Sequence, residues 1–207
     1  MFSTLVLVVD DDRSFRKAVS RLLQAAGYEV ASYDSAQQLL EHLPQDDRPS
    51  CILLDVQIPG LSGPELQNRL SAADSFLPIV FLTGHGDIPT SVQAIKAGAE
   101  DFLTKPVSKE VLLDAIDRAV ARHLVIRRQR DRLAALHALV AELTPRERQV
   151  FGLVVRGWLN KQIADELGMA ERTVKAHRRR VMEKTKARTL VELVSIAERL
   201  GMIRERG

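Results

Sequence analysis

The first 120 residues alternate between two hydrophobic periodicities, and that alternation limits the possible folds more than any other feature. Residues 4–9, 51–54 and 78–82 are short, continuous apolar runs, the pattern of strands covered on both faces. Weaker strand signals occupy 28–33 and 101–103. Between them lie stretches with helical spacing. Residues 14–26 place Phe15, Ala18, Val19, Leu22 and Leu23 on one face, with Gly27 as the stop. Residues 35–43, 64–70 and 88–97 follow the same rule, and Ser108 opens a fifth helix. Five strands alternating with five helices predict an α/β domain: a doubly wound parallel sheet with right-handed crossovers and helices on both faces.

In such a sheet the working site lies at the carboxyl ends of the strands. Asp10, Asp11 and Asp12 follow the first strand, Asp55 ends the third, Thr83 follows the fourth, and Lys105 and Pro106 follow the fifth. Three consecutive carboxylates repel one another and resist burial. A metal ion, a basic side chain or open solvent would make them tolerable. Three acidic positions, a hydroxyl and a lysine on one rim suit phosphoryl transfer to a carboxylate. Asp55 is the candidate nucleophile, and Asp10 and Asp11 are candidate Mg²⁺ ligands, since Mg²⁺ prefers oxygen donors. Lys105 is placed to pair with a phosphoryl oxygen and Thr83 to donate a hydrogen bond to it.

The segments VVDDDRSFR, LLDVQIPGLSG, IVFLTGHGDIP and DFLTKP resemble the receiver domain of bacterial response regulators, in the FixJ-like branch, over residues 1–121. The resemblance implies a flavodoxin-like five-stranded sheet with Asp55 as phosphoacceptor. It implies an acidic pocket of Asp10, Asp11 and Asp55, with the backbone carbonyl of Gln57 completing the Mg²⁺ shell. Thr83 and Phe102 fall at the switch positions, Phe102 in place of a frequent tyrosine, and Lys105 is the phosphate-sensing lysine. Asp12 receives no metal-binding role.

Charge divides the chain. Residues 1–121 carry 10 Lys and Arg against 17 Asp and Glu, a net charge of −7; residues 144–207 carry 15 against 8, a net charge of +7. A basic half beside an acidic one points to two domains, the basic one suited to nucleic acid. Between them neither Pro nor Gly occurs from 107 to 144. Residues 122–142 therefore read as a helical linker, either continuous with the preceding helix or broken near 127–132.

Residues 143–207 read as an all-α domain. Thr144, Pro145 and Glu147 make a strong helix start. Helices are expected over 160–167, 171–184 and 189–200, with Gly168 in the turn between the first two and Trp158 in the core. Two helices joined by a short Gly-containing turn form a helix-turn-helix. NKQIADELGMAERTVKAHRRRVMEK resembles the LuxR-type helix-turn-helix domain. That resemblance implies base contacts from Lys175, Ala176 and Arg179, and phosphate contacts from Arg172, Thr173, His177, Arg178 and Lys161 on double-stranded DNA.

Residues 4–9 are too short to span a bilayer and lack a basic flank. The single cysteine, Cys51, excludes an internal disulfide, and no histidine has metal-ligand spacing to it. No membrane association and a cytoplasmic location are expected. The combined reading is a phosphorylation-controlled transcription regulator rather than an enzyme. A partner histidine kinase, a homodimer on phosphorylation, DNA and RNA polymerase are the expected partners. An aspartyl-phosphate phosphatase would place a second carboxylate at the position of Gln57 and would leave the helix-turn-helix unexplained. A DNA-binding protein with an inert receiver is opposed by the complete acidic site.

Overall fold

The computed structural model describes residues 4–44, 48–58, 61, 63–72, 75–84, 92, 94–96 and 98–203. The chain divides into two units, Met1–Arg127 and Arg128–Gly207. In the first, β1 (Leu5–Val9), β2 (Glu29–Tyr33), β3 (Ser50–Asp55), β4 (Ile79–Thr83) and β5 (Asp101–Thr104) form one parallel sheet in the order β2-β1-β3-β4-β5. The described helices of this unit are α1 (Arg13–Ala25), α2 (Ala36–Glu41), α3 (Gly63–Ala72) and the start of α4 (Lys109–Ala141). The helix expected over 88–97 lies largely outside the described residues.

Every residue of β1, β3 and β4 is buried, whereas the outer strands β2 and β5 are partly exposed. The period-2 alternation of the strands builds two cores. Leu5, Leu7, Val9, Ile52, Leu54 and Phe81 pack on one face with Leu39 of α2 and Leu66 of α3. Val6, Val8, Leu53 and Leu82 pack on the other with Leu23 of α1 and Leu112 and Ile116 of α4. Each such side chain contributes about 1.5–3 kcal/mol when fully buried. The strand order reverses direction between β1 and β3. There Val9 pairs with Leu54, so the next residue on each strand, Asp10 and Asp55, arrive side by side at the carboxyl rim.

α4 runs unbroken through residues 127–132, which settles the alternative that the sequence left open. His123 fixes its early part to the sheet: the backbone N–H of Ser50, at the start of β3, donates to Nδ1 of His123 at 2.9 Å. Burial pushes the His123 pKa below its ordinary value, with nearby Arg127 adding to the effect. Both favour the neutral ring that this bond requires.

The second unit contains α5 (Pro145–Val154), α6 (Asn160–Leu167), α7 (Glu171–Thr185) and α8 (Leu190–Arg199). Val150, Phe151, Val154, Ile163, Val174, Val181, Leu193 and Ala197 form their common core. α6 stops at Gly168, which takes a left-handed conformation (φ +63°) that a side chain would oppose. α7 starts three residues later. Trp158 is a correction: it stands on the surface, 36% exposed, in the connection between α5 and α6. Phe151 and Val154 fill the core from α5 instead. Leu190 is also exposed, because it opens α8 at the edge of the core.

Glu147 ties this unit together. Its Oε2 accepts from the N–H of Thr144 at 2.9 Å and from Nζ of Lys184, on α7, at 2.6 Å, while the Thr144 hydroxyl accepts from the N–H of Glu147 at 3.3 Å. The carboxylate is 2% exposed. The bond from Lys184, then the one from Thr144, hold its pKa down to about 2 against an ordinary 4.5. A depressed carboxylate pKa gives stabilisation that is complete above the ordinary value and lost as pH falls through the folded one. Glu147→Gln is expected to cost about 2–3 kcal/mol near neutral pH. It should also flatten the acid limb of the stability curve between pH 4.5 and about 2. Thermal unfolding of the full chain across that range checks both.

Candidate functional sites

The rim that β1 and β3 create is an acidic pocket with the Lys105 ammonium in it. Asp10, Asp11 and Asp55 each present a carboxylate oxygen, all within 4.8 Å of one another. Asp10 and Asp55 are buried and Asp11 is exposed. Lys105 follows β5 at a cis Lys105–Pro106 bond. Its Nζ lies 2.6 Å from Oδ2 of Asp10 and 2.8 Å from Oδ2 of Asp55. The ring of Phe15, on α1, sits beneath the ammonium at 4.1 Å, a favourable cation–π placement.

Burial pushes the Asp10 carboxyl up, against the pull of Lys105 and the N–H of Asp12, and the charge of Asp55 adds to the rise. Burial works against the Lys105 ammonium, but its bonds to Asp10 and Asp55 outweigh this and hold its pKa above the ordinary value. One ammonium among three carboxylates leaves the pocket short of positive charge. The donor set is all oxygen, closely spaced and open on the side of Asp11, and so fits a hard divalent cation.

Thr83 reaches this rim, and Phe102 lies further back on β5. Thr83 is buried at the end of β4, and its carbonyl accepts from the N–H of Lys105 at 2.7 Å. Phe102 packs on Phe81 with ring centroids 6.1 Å apart. The N–H of Gln57 donates to Oδ1 of Asp55 at 3.2 Å, which fixes the carboxylate's direction.

Asp12 serves α1. Its Oδ1 accepts from the N–H groups of Ser14 and Phe15 at 2.7 and 3.3 Å, so it is the helix N-cap. The three aspartates therefore divide: two face the pocket and the third starts the helix. Sequence reasoning missed two supports. One is the Phe15 ring, counted only as part of the inner helix face. The other is Arg16, whose Nη1 donates to the Asp10 carbonyl at 2.5 Å. Arg16 reaches a backbone carbonyl six residues back and outside the helix, a contact that helical spacing does not signal.

In the second unit α7 presents Arg172, Thr173, Lys175, Ala176 and Arg179 to solvent, and Lys161 is exposed on α6. Arg178 is half-buried, and its Nη1 donates to Oδ1 of Asn160, at the start of α6, at 3.1 Å. His177 is half-buried, with Nδ1 buried and without a hydrogen-bond partner. Lys175 pairs with Glu171 at 3.3 Å and Arg179 with Glu183 at 2.9 Å.

Residues 6–117 match the family model for the response regulator receiver domain, and residues 141–197 match that for bacterial regulatory proteins of the luxR family. The chain is a response regulator. It is 44% identical to Nodulation protein W of Bradyrhizobium diazoefficiens, over 96% of this chain and 87% of that one. It is 40% identical to the Transcriptional regulatory protein FixJ of the same organism, over 97% of each. Among solved structures, response regulator StyR superposes with a TM-score of 0.82 at 46% identity, covering 95% of this chain and 99% of that one. Full-length FixJ from B. japonicum gives 0.58 at 40% identity, covering 97% and 98%.

This response regulator thus joins a receiver domain to a LuxR-type DNA-binding domain, the composition of a transcription regulator. Among the described residues no helix is long and apolar enough to cross a membrane. The acidic pocket makes a direct prediction. Lys105→Met removes the resident cation and is expected to cost about 2–3 kcal/mol without divalent metal. Added Mg²⁺ should then raise the melting temperature more in this variant than in the wild type, because metal bound only by the folded state stabilises it. Thermal shifts with EDTA and with Mg²⁺ measure the difference; an equal response would show that Lys105 and the metal do not share these carboxylates.

Proposed function

We propose that residues 1–121 are a phosphoacceptor module, residues 122–142 a helical linker, and residues 143–207 a DNA-binding module whose activity follows the phosphorylation of Asp55. The observation that carries this reading is the pocket itself: Asp55 lies within 4.8 Å of two further carboxylate donors and 2.8 Å from Lys105. A partner histidine kinase presents a phosphohistidine. A carboxylate oxygen of Asp55 attacks phosphorus, the P–N bond breaks as the P–O bond forms, and the imidazole leaves. Asp10, Asp11, Asp55 and the Gln57 carbonyl would hold Mg²⁺. When bound, Mg²⁺ neutralises charge on the transferring phosphoryl oxygens.

Lys105, bonded to Asp10 and Asp55 beforehand, is placed to take a phosphoryl oxygen as a charged partner. Thr83 donates its hydroxyl to the acyl phosphate, and Phe102 turns inward behind it. The protein turns over no external substrate beyond this transfer and the later hydrolysis of its own acyl phosphate.

The surface that responds comprises residues 88–97, largely outside the described residues, and 101–103. Homodimerisation through it brings two copies of α7 onto half-sites about one helical turn apart. Lys175, Ala176 and Arg179 read bases, while Arg172, Thr173, His177, Arg178 and Lys161 meet phosphates. Binding upstream of a gene in the cytoplasm then affects RNA polymerase. Phosphorylation must favour the dimer by a real difference in free energy, since an equal effect on both states shifts nothing.

Light scattering on a sizing column, with Mg²⁺ and the acyl-phosphate mimic beryllofluoride, tests the switch. The mass should double in the wild type and stay monomeric in Asp55→Ala. A doubling that persists in Asp55→Ala would remove Asp55 from the mechanism.

A further inference from the structure

We infer that Glu183 is a specificity-determining positioning residue that aims Arg179 at base edges; this rests on reading Arg179 as a base-contacting residue. The cations of α6 and α7 that are assigned to DNA fall into two groups; Lys184 of α7 instead pairs with Glu147. Lys175 and Arg179, assigned to bases, each pair with a glutamate on their own helix. Arg172 and Lys161, assigned to phosphates, have no ion pair among the described residues, and Arg178 bonds only the neutral side chain of Asn160.

Helix stability explains one of the two pairs. Glu171 opens α7 and lies four residues before Lys175; an acid in the first turn and that order of charges both favour the helix. Glu183 breaks both rules. It lies four residues after its arginine and two residues before the end of α7, where the helix dipole disfavours an acid. Both side chains are well exposed, Arg179 at 83% and Glu183 at 59%, and exposed pairs of this kind contribute little to folding. Folding thus leaves the pair available for a role in what α7 does.

Its geometry supplies that role. Nε of Arg179 donates to Oε1 of Glu183 at 2.9 Å. With Nε engaged, the guanidinium plane is fixed and both Nη groups remain free. Two parallel donors are what the O6 and N7 acceptors of guanine require in the major groove. The carboxylate also faces the same duplex. On a sequence without the matching base pair, no base contact of Arg179 offsets the repulsion of this carboxylate by DNA phosphates. Glu183 thus improves the matched complex and penalises the unmatched one, the two ways in which specificity is gained.

The test uses the full chain with Mg²⁺ and beryllofluoride, selecting from a pool of randomised duplexes. Arg179→Ala identifies the base pair that Arg179 reads. At that base pair Glu183→Ala is expected to lower discrimination about 10-fold, within the range of one bidentate contact. Glu183→Gln keeps an acceptor for Nε and should retain most of it. Both variants lose the carboxylate charge, so both should bind unselected duplex several-fold more tightly. The salt dependence of that binding should steepen by about one counterion as Arg179 becomes free to meet phosphate.

Full discrimination by Glu183→Ala would overturn the inference while leaving the role of Arg179 intact. So would loss of a cytosine preference at a neighbouring base pair, since Glu183 would then be reading a base itself. If Arg179→Ala relaxes no base pair, or the wild type enriches no sequence, the base-contact reading fails and this inference fails with it.

Discussion

The crowding of carboxylates at one end of the sheet is the constraint on which the first unit depends. Parallel pairing of β1 with β3 delivers Asp10 and Asp55 to the same rim, and Asp11 completes the cluster. Left alone, such a group would resist ionisation and weaken the fold. Lys105 relieves it by bonding two of the three carboxylates at once, from the far side of the sheet. Asp10 stays raised chiefly because it is buried, with the charge of Asp55 adding to the rise. Three closely spaced oxygen donors with the Lys105 ammonium among them suit a hard divalent cation.

Much of this was legible in the sequence, for identifiable reasons. The three central strands are apolar throughout because both faces are covered, so their ends could be read closely: 51–54 against Ser50–Asp55, and 78–82 against Ile79–Thr83. Once the strand ends are known, the rim residues follow, because the fold places its site there. Asp10 and Asp11 were assigned to the pocket and Asp12 was left out of it, but the capping role of Asp12 was not read. Whether each faces a pocket or caps a helix depends on backbone direction after Val9, which periodicity does not encode. The same holds for Phe15, an apolar residue on an apolar face whose ring also meets the Lys105 ammonium. Trp158 misled for a related reason: a lone aromatic near a helix end packs in the core or on its rim according to tertiary contacts alone.

The second unit follows a different logic. Two of its helix starts carry explicit side-chain caps, a capping box at Thr144 and Glu147 and a cap at Thr189, whereas α6 and α7 start at Leu159 and Ala170 without one. The tie between Glu147 and Lys184 was not legible, because it joins residues 37 positions apart. It fastens the entry of α5 to α7, the helix proposed to read DNA. Between the units the absence of any helix breaker was a clear signal, and α4 is continuous over 33 residues. The decisive feature there was what the sequence lacks.

The most direct test of the central claim is to locate the phosphoryl group. The full chain would be incubated with Mg²⁺ and a small phosphoramidate donor, the acyl phosphate reduced with borohydride, and the product mapped by peptide mass spectrometry. Reduction at Asp55 alone, abolished by EDTA and absent from Asp55→Ala, is the result expected of this pocket. Modification at Asp10 or Asp11 instead, or none at any carboxylate, would contradict the assignment of Asp55 as the phosphoacceptor.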